Sequence, residues 1–263
     1  MKQIFKISSI YCIVYAVLLM VVLCLLYVYP KLELHLLMNS WHNSVLDTFF
    51  KYFSVLAEWP LYILALLPLF WKKWKITAFF AMSEITGGAL LQVLKHLISM
   101  ERPMSAFEHY AEGTLPLVAD VDMHYGNSFP SGHASTFFMF CTCLAIGRAY
   151  FYMREGNHHK ALRAVVFNVT MVLLVIFAAL GAYSRVYLSQ HFMADICVGS
   201  VIGSVTPWII FYLTKDKVLK LKFDDKNTQD EKTDKDPAQT PFPLCILVCC
   251  QHRHAVALQH TLL

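Results

Sequence analysis

The chain has 263 residues, 57% of them apolar and only 15% charged, with a formal net charge of +4. Soluble domains carry about a quarter charged residues and slightly under half apolar ones, so this composition excludes a soluble globular protein, a disordered chain and a collagen-like or disulfide scaffold. The net charge gives no ground for a nucleic-acid partner. What remains is an all-α polytopic membrane protein whose few charges carry the information.

Crossing a hydrocarbon core of about 30 Å takes about 20 apolar residues. Residues 10–29 form the first such run, without the small-residue cleavage site of a signal peptide. The stretch 34–52 (LHLLMNSWHNSVLDTFFKY) is about half apolar with a helical period. It reads as a helix lying in the interface, or as a cap on the bundle. Further runs at about 53–71, 76–98, 133–152, 162–183 and 191–213 complete a six-transmembrane-helix bundle. The organisation is then an N-terminal transmembrane helix (1–33), a core with five spans (34–214) and a tail (215–263). Residues 224–240 mix both charge signs with almost nothing to bury, which predicts disorder.

Positive charge orients the bundle. Lys2 and Lys6, then Lys72, Lys73 and Lys75, then Arg154, Lys160 and Arg163, then Lys215, Lys217, Lys220 and Lys222 fall on one side if there are six crossings. That side is expected to be cytoplasmic, with both termini, while the loops 30–52, 99–131 and 184–190 face outward. Cys12, Cys24, Cys141, Cys143 and Cys197 lie within spans and no cysteine lies in an outward loop, so no disulfide is expected. In the tail, Cys245, Cys249, Cys250, His252 and His254 follow no common zinc spacing. No metal or cofactor is expected.

Ionisable groups at membrane depth are functional candidates by default. Lys95 and His96 end the third span, with Arg102-Pro103 just beyond; Pro130-Ser131-Gly132-His133 opens the fourth; Ser184-Arg185 ends the fifth; His191 and Asp195 open the sixth. All sit at the outward ends of their spans. Cations, hydroxyls and helix N-terminal N–H donors are what a phosphate monoester or diphosphate requires. His191 and Asp195 are four apart on one helix face, so the carboxylate can fix one ring nitrogen and leave the other free to attack phosphorus. Pro103 ends the helical continuity between Lys95 and Arg102, which lets both cations reach one anion. Each feature alone has a plainer explanation: snorkelling cations, a surface His-Asp pair, an ordinary helix start. Their joint placement favours a site.

K-x6-R-P at Lys95, Arg102 and Pro103, P-S-G-H at 130–133, and S-R-x5-H-x3-D at Ser184, Arg185, His191 and Asp195 resemble the three signature motifs of the type 2 phosphatidic acid phosphatase (PAP2) superfamily. The resemblance implies a membrane lipid phosphatase with an outward-facing site in a cell inner membrane. It makes His191 the nucleophile, giving a phosphohistidine; Asp195 its orienting group; and His133 the general acid, then base. Lys95, Arg102 and Arg185, with Ser131, Gly132 and Ser184, would hold the phosphoryl oxygens without a metal.

A site at the mouth of a helical bundle suits an amphiphile whose tail stays in the bilayer. By analogy within the family, a lipid A phosphate and undecaprenyl diphosphate lead as substrates. A lipid phosphotransferase is the alternative, as is a non-catalytic lipid-binding or transport protein, whose mark would be loss of His191 or His133. The outer loop 104–128 carries Glu108, His109, Glu112, Asp120, Asp122 and His124 and is expected to shape headgroup choice as a solvated acidic loop. Glu84 reads as a buried polar partner within the bundle, and Glu58 as a neighbour for a site cation.

Overall fold

The computed structural model describes residues 2–110, 114–154 and 160–216. The tail beyond residue 216, with its cysteines and histidines, lies outside the described residues, as does Glu112. Among the described residues every regular element is a helix: α1 (Lys2–Ile7), α2 (Ser9–Val28), α3 (Lys31–Met38), α4 (Ser44–Val55), α5 (Trp59–Leu97), α6 (Pro103–Tyr110), α7 (Gly132–Arg154), α8 (Lys160–Tyr187) and α9 (Met193–Thr214). In lipid every backbone N–H and C=O must be paired within the chain, and helices do this segment by segment.

Five stretches among these are long and apolar enough to cross a membrane: Ser9–Val28, Trp74–Leu97, Gly132–Met153, Ala161–Tyr187 and Met193–Thr214. The crossing expected at 53–71 does not stand as a helix of its own. Its residues divide between the end of α4 and the first part of α5, whose helical backbone continues through Lys72–Lys75. The reason is local. WKKWK supplies positive charge but no Gly, Pro or capping residue, and Lys is a good helix former.

α7 and α9 are the most enclosed spans, while α2 turns most of its surface outward. With lipid outside, helices gain little hydrophobic energy by associating, and close backbone packing takes over. α9 carries Gly199 and Gly203 one turn apart; a Cβ at Gly199 would run into the carbonyl of Ser131, just before α7, and one at Gly203 into that of Ser135 within it. α5 joins this pair through Phe79 against Phe211 and Phe80 against Phe140. Glu84, expected to be buried, is half-buried and accepts the Thr136 hydroxyl at 2.7 Å. Polar bonds also dock α2: Tyr11 to Thr142 at 2.8 Å and Tyr15 to Ser200 at 3.1 Å.

The segment expected as one interfacial helix is two. α3 ends at Met38, and Asn43 caps α4 by accepting the N–H groups of Val45 and Leu46 at 3.1 and 2.9 Å. α4 buries Phe50 against Tyr183 and Tyr187 of α8 and presents Val45 and Tyr52 outward, so it covers the bundle with an apolar face left over. The 99–131 connection also gains α6, opened by Pro103 in the first helical position, where its missing N–H costs nothing.

Candidate active site

The site is built where α5 and α8 end and α7 and α9 begin. A tight turn joins α8 to α9: the N–H groups of Gln190 and His191 both donate to the Arg185 carbonyl, at 2.9 and 3.1 Å, and Ser189 takes a left-handed φ of 53°. This turn presents His191, which is 3% exposed. Its Nδ1 lies 3.5 Å from the Asp195 carboxylate and 3.3 Å from the Ser128 hydroxyl. Asp195 stands in the first turn of α9, where Oδ2 accepts the Phe192 N–H at 2.8 Å and also the Ser128 hydroxyl. With Nδ1 committed to this corner, Nε2 is the nitrogen left to meet an electrophile. Burial pushes the His191 imidazole down to about 4 against the pull of Asp195, with Arg102 and Arg185 adding to the fall, so the ring is neutral at neutral pH.

Ser131 caps α7, its hydroxyl accepting the Ala134 N–H at 3.4 Å. Its own N–H donates to the Asp195 carbonyl at 3.1 Å, so this expected free donor is occupied. That bond joins the second motif to the third. The N–H groups of Gly132 and His133, first in the helix, have no acceptor within it. His133 stands in the shared field of Arg185, His191, His124 and Arg102.

The three cations differ in their attachments. Arg185 donates from Nη1 to Ser54 at 2.6 Å, while its Nε is buried without a partner. Glu58 lies close enough to act on its charge. Arg102 donates to three carbonyls: Gln190 at 2.8 Å, Gly126 at 3.2 Å and Asn127 at 3.5 Å. Burial lowers its pKa, opposed by the Asp195 charge. Lys95 is in the last turn of α5 and feels both Arg102 and Asp195. Three cations against two carboxylates, Asp195 and Glu58, leave a net positive corner that an anion would neutralise. Ser184 is placed differently from the expectation of a phosphate donor: its hydroxyl donates to the Gly181 carbonyl of its own helix at 2.6 Å.

Several supports of the site carry no mark in the sequence. Asn127 donates to the carbonyls of Lys95 and Ile98, at 2.5 and 2.7 Å, and accepts the N–H groups of Met100 and Phe129, at 3.0 and 3.1 Å. It staples the first motif to the second. Ser128, Ser54 and Gln190 were likewise unmarked, for each acts through a contact that only the fold creates. Among the described residues no three His, Cys, Asp or Glu side chains gather as a metal centre would require, the Asp120, Asp122 and His124 loop included.

A bundle of membrane-length helices that gathers three cations, two histidines and a carboxylate at one end defines a class of phosphate-handling membrane protein. The family model of the PAP2 superfamily matches residues 76–219, which include all three motifs, and the chain belongs to that superfamily. Lipid phosphate phosphatase delta of Arabidopsis thaliana is 28% identical over 166 residues, a match covering 61% of this chain but 36% of that protein. Among solved structures, LpxE of Aquifex aeolicus superposes with a TM-score of 0.54 at 24% identity, over 70% of this chain and 97% of its own. A transmembrane PAP2-type phosphatidylglycerolphosphate phosphatase from Bacillus subtilis gives 0.53 at 17% identity, over 82% and 98%. These two likenesses are of fold.

Proposed function

We propose that the protein is a lipid phosphate phosphatase working through a phosphohistidine. One observation carries the reading: a buried neutral imidazole has its Nδ1 held by Ser128 and Asp195 beside a buried guanidinium whose Nε has no partner. Nε2 of His191 attacks phosphorus, and the bond to the leaving oxygen breaks as His133 delivers a proton to it. Water then attacks the phosphohistidine, giving its proton to His133, and inorganic phosphate leaves with His191 restored. Arg185, Lys95, Arg102 and the first N–H groups of α7 stabilise the charge on the equatorial oxygens. Asp195 keeps Nδ1 protonated so that Nε2 holds the lone pair.

The substrate reading is a lipid A phosphate or undecaprenyl diphosphate, supported by a site at the end of a bundle whose outer surface is apolar. The site is taken to face away from the cytoplasm of a bacterial inner membrane, because Lys6, Arg163 and Lys215 lie toward the opposite ends of the helices. The deciding experiment incubates purified protein with lipid A, undecaprenyl diphosphate, phosphatidylglycerolphosphate and phosphatidate, and measures inorganic phosphate with and without an acceptor lipid. Release without acceptor, abolished in His191→Ala, is the expected result. Phosphate that moves only to an acceptor lipid would make the protein a phosphotransferase. Turnover unchanged in His191→Ala would sink the nucleophile assignment.

A further inference from the structure

The family match begins at residue 76, yet the turn that presents His191 is also held, at Ser189, by two residues before it, His35 and Asn39. Ser189, two positions ahead of His191, has a hydroxyl whose hydrogen bonds are all used. It donates to the Pro116 carbonyl at 3.2 Å and accepts from Asn39 Nδ2 at 2.5 Å. His35 Nε2 stands 3.4 Å away as the remaining donor. A hydroxyl has one proton and two lone pairs, so this set fills it. His35 is 1% exposed, set between the rings of Phe107 and Phe192, and its burial pushes the imidazole to about 4, keeping it neutral. A neutral ring that donates from Nε2 has an unprotonated Nδ1, and Nδ1 is indeed the buried atom without a partner.

The connections continue outward. Asn39 Oδ1 meets His42 Nε2 at 2.5 Å, and His42 Nδ1 lies 2.9 Å from the Asp47 carboxylate. Asp47 in turn accepts the Tyr187 hydroxyl at 2.6 Å. Beside this circuit the Tyr183 hydroxyl donates to the Met38 carbonyl at 2.6 Å. The α3–α4 segment thus grips the end of α8 at Tyr183 and Tyr187, and the turn itself at Ser189. Ser189 is also a non-glycine residue at φ 53°, a conformation that persists only where its surroundings impose it. Nothing in the chemistry of phosphoryl transfer requires this network, yet it fixes the backbone from which His191 projects.

We propose that Ser189, anchored by Asn39 and His35, is a positioning residue for His191, and that the α3–α4 segment is a clamp setting the angle of attack on phosphorus. The proposal rests on the phosphatase reading. A misplacement of about 1 Å costs on the order of 100-fold in an aligned displacement, so losing this grip should show in kcat more than in substrate binding.

The test compares Ser189→Gly, which suits the left-handed backbone and removes the hydroxyl with its methylene, with Asn39→Ala. Each is measured for kcat and KM on the best lipid phosphate, and for vanadate binding by calorimetry, whose stoichiometry counts competent sites. The expected result is a kcat lower by roughly 10- to 100-fold with KM within about 2-fold and vanadate stoichiometry unchanged. An unchanged kcat overturns the proposal. A kcat that falls in proportion to vanadate stoichiometry overturns it too, because the segment would then serve only folding. His191→Ala runs alongside: if it stays active, the phosphatase reading and the clamp fall together, whereas an inactive His191→Ala beside fully active Ser189 and Asn39 variants removes the clamp alone.

Discussion

Histidine titration connects the site to pH. His191 and His35 are both held near 4 by burial, against 6.5 for an unburied imidazole. Between those values the unfolded chain binds protons that the folded chain refuses, so this stability contribution is complete above about 6.5 and drains away as pH falls toward 4. Each such histidine steepens the loss by up to about 1.4 kcal/mol per pH unit. Thermal unfolding in detergent should show a midpoint lower at pH 4.5 than at pH 7, and His35→Asn should flatten that difference; a midpoint insensitive to pH over this range would show that neither ring is held neutral. Ser128 offers a second test at this scale. Ser128→Ala removes the hydroxyl shared by Asp195 and His191, and kcat should drop about 10- to 100-fold while vanadate still binds. Ser128 escaped the sequence reading because it precedes the Pro-Ser-Gly-His run by two residues and meets Asp195 only once α7 and α9 close on each other. His191, Asp195, His133 and the three cations were legible, since their chemistry is unusual at membrane depth. Neutral Ser and Asn side chains are not unusual there, and their bonds depend on tertiary contact.

The α7–α9 crossing is the element on which the site depends. Its two helix starts supply the Pro-Ser-Gly-His run and the His-Asp pair, joined by the 3.1 Å bond from the Ser131 N–H to the Asp195 carbonyl. Gly199 allows that approach. Replacing a helical glycine by alanine ordinarily stabilises by about 0.5–1 kcal/mol, but at Gly199 the new methyl meets the Ser131 carbonyl, part of the backbone that carries the site. Gly199→Ala should therefore reduce kcat by at least about 10-fold and lower thermal stability. Gly88→Ala is the control, since open space surrounds that position and only the propensity gain applies. Phosphate release and melting of the two variants side by side would expose the error if Gly199→Ala behaved like Gly88→Ala. Five of the six expected spans correspond to membrane-length helices and were readable from apolar run length; the one at 53–71 does not stand alone. The boundary between α3 and α4, and the continuity of α5 through Lys72–Lys75, were not readable, because a cap at Asn43 and the absence of any helix stop are weaker signals than hydrophobicity.

At the scale of the whole molecule, charge separates along the bundle. Lys95, Arg102 and Arg185 gather at one end, where Arg102 and Arg185 spend donors on carbonyls and Ser54 and where Lys31 lies over the Phe192 ring. Toward the opposite ends of α7, α8 and α9 stand Arg148, Arg163 and Lys215, with Lys6 on α1, whose neighbour Phe5 meets Trp208 near the end of α9. Basic residues flanking spans are retained on the cytoplasmic side, so the charges that serve no site determine which way the site faces. A cysteine introduced at Asp122, exposed in the 104–128 loop at the site end, should react with a membrane-impermeant maleimide in intact cells. One introduced at Asp216, exposed beyond α9, should react only after lysis, with the unmutated chain as the blank for its native thiols. The reverse pattern would turn the site toward the cytoplasm. Its lipid phosphate would then have to come from the inner leaflet, which excludes substrates displayed on the outer one.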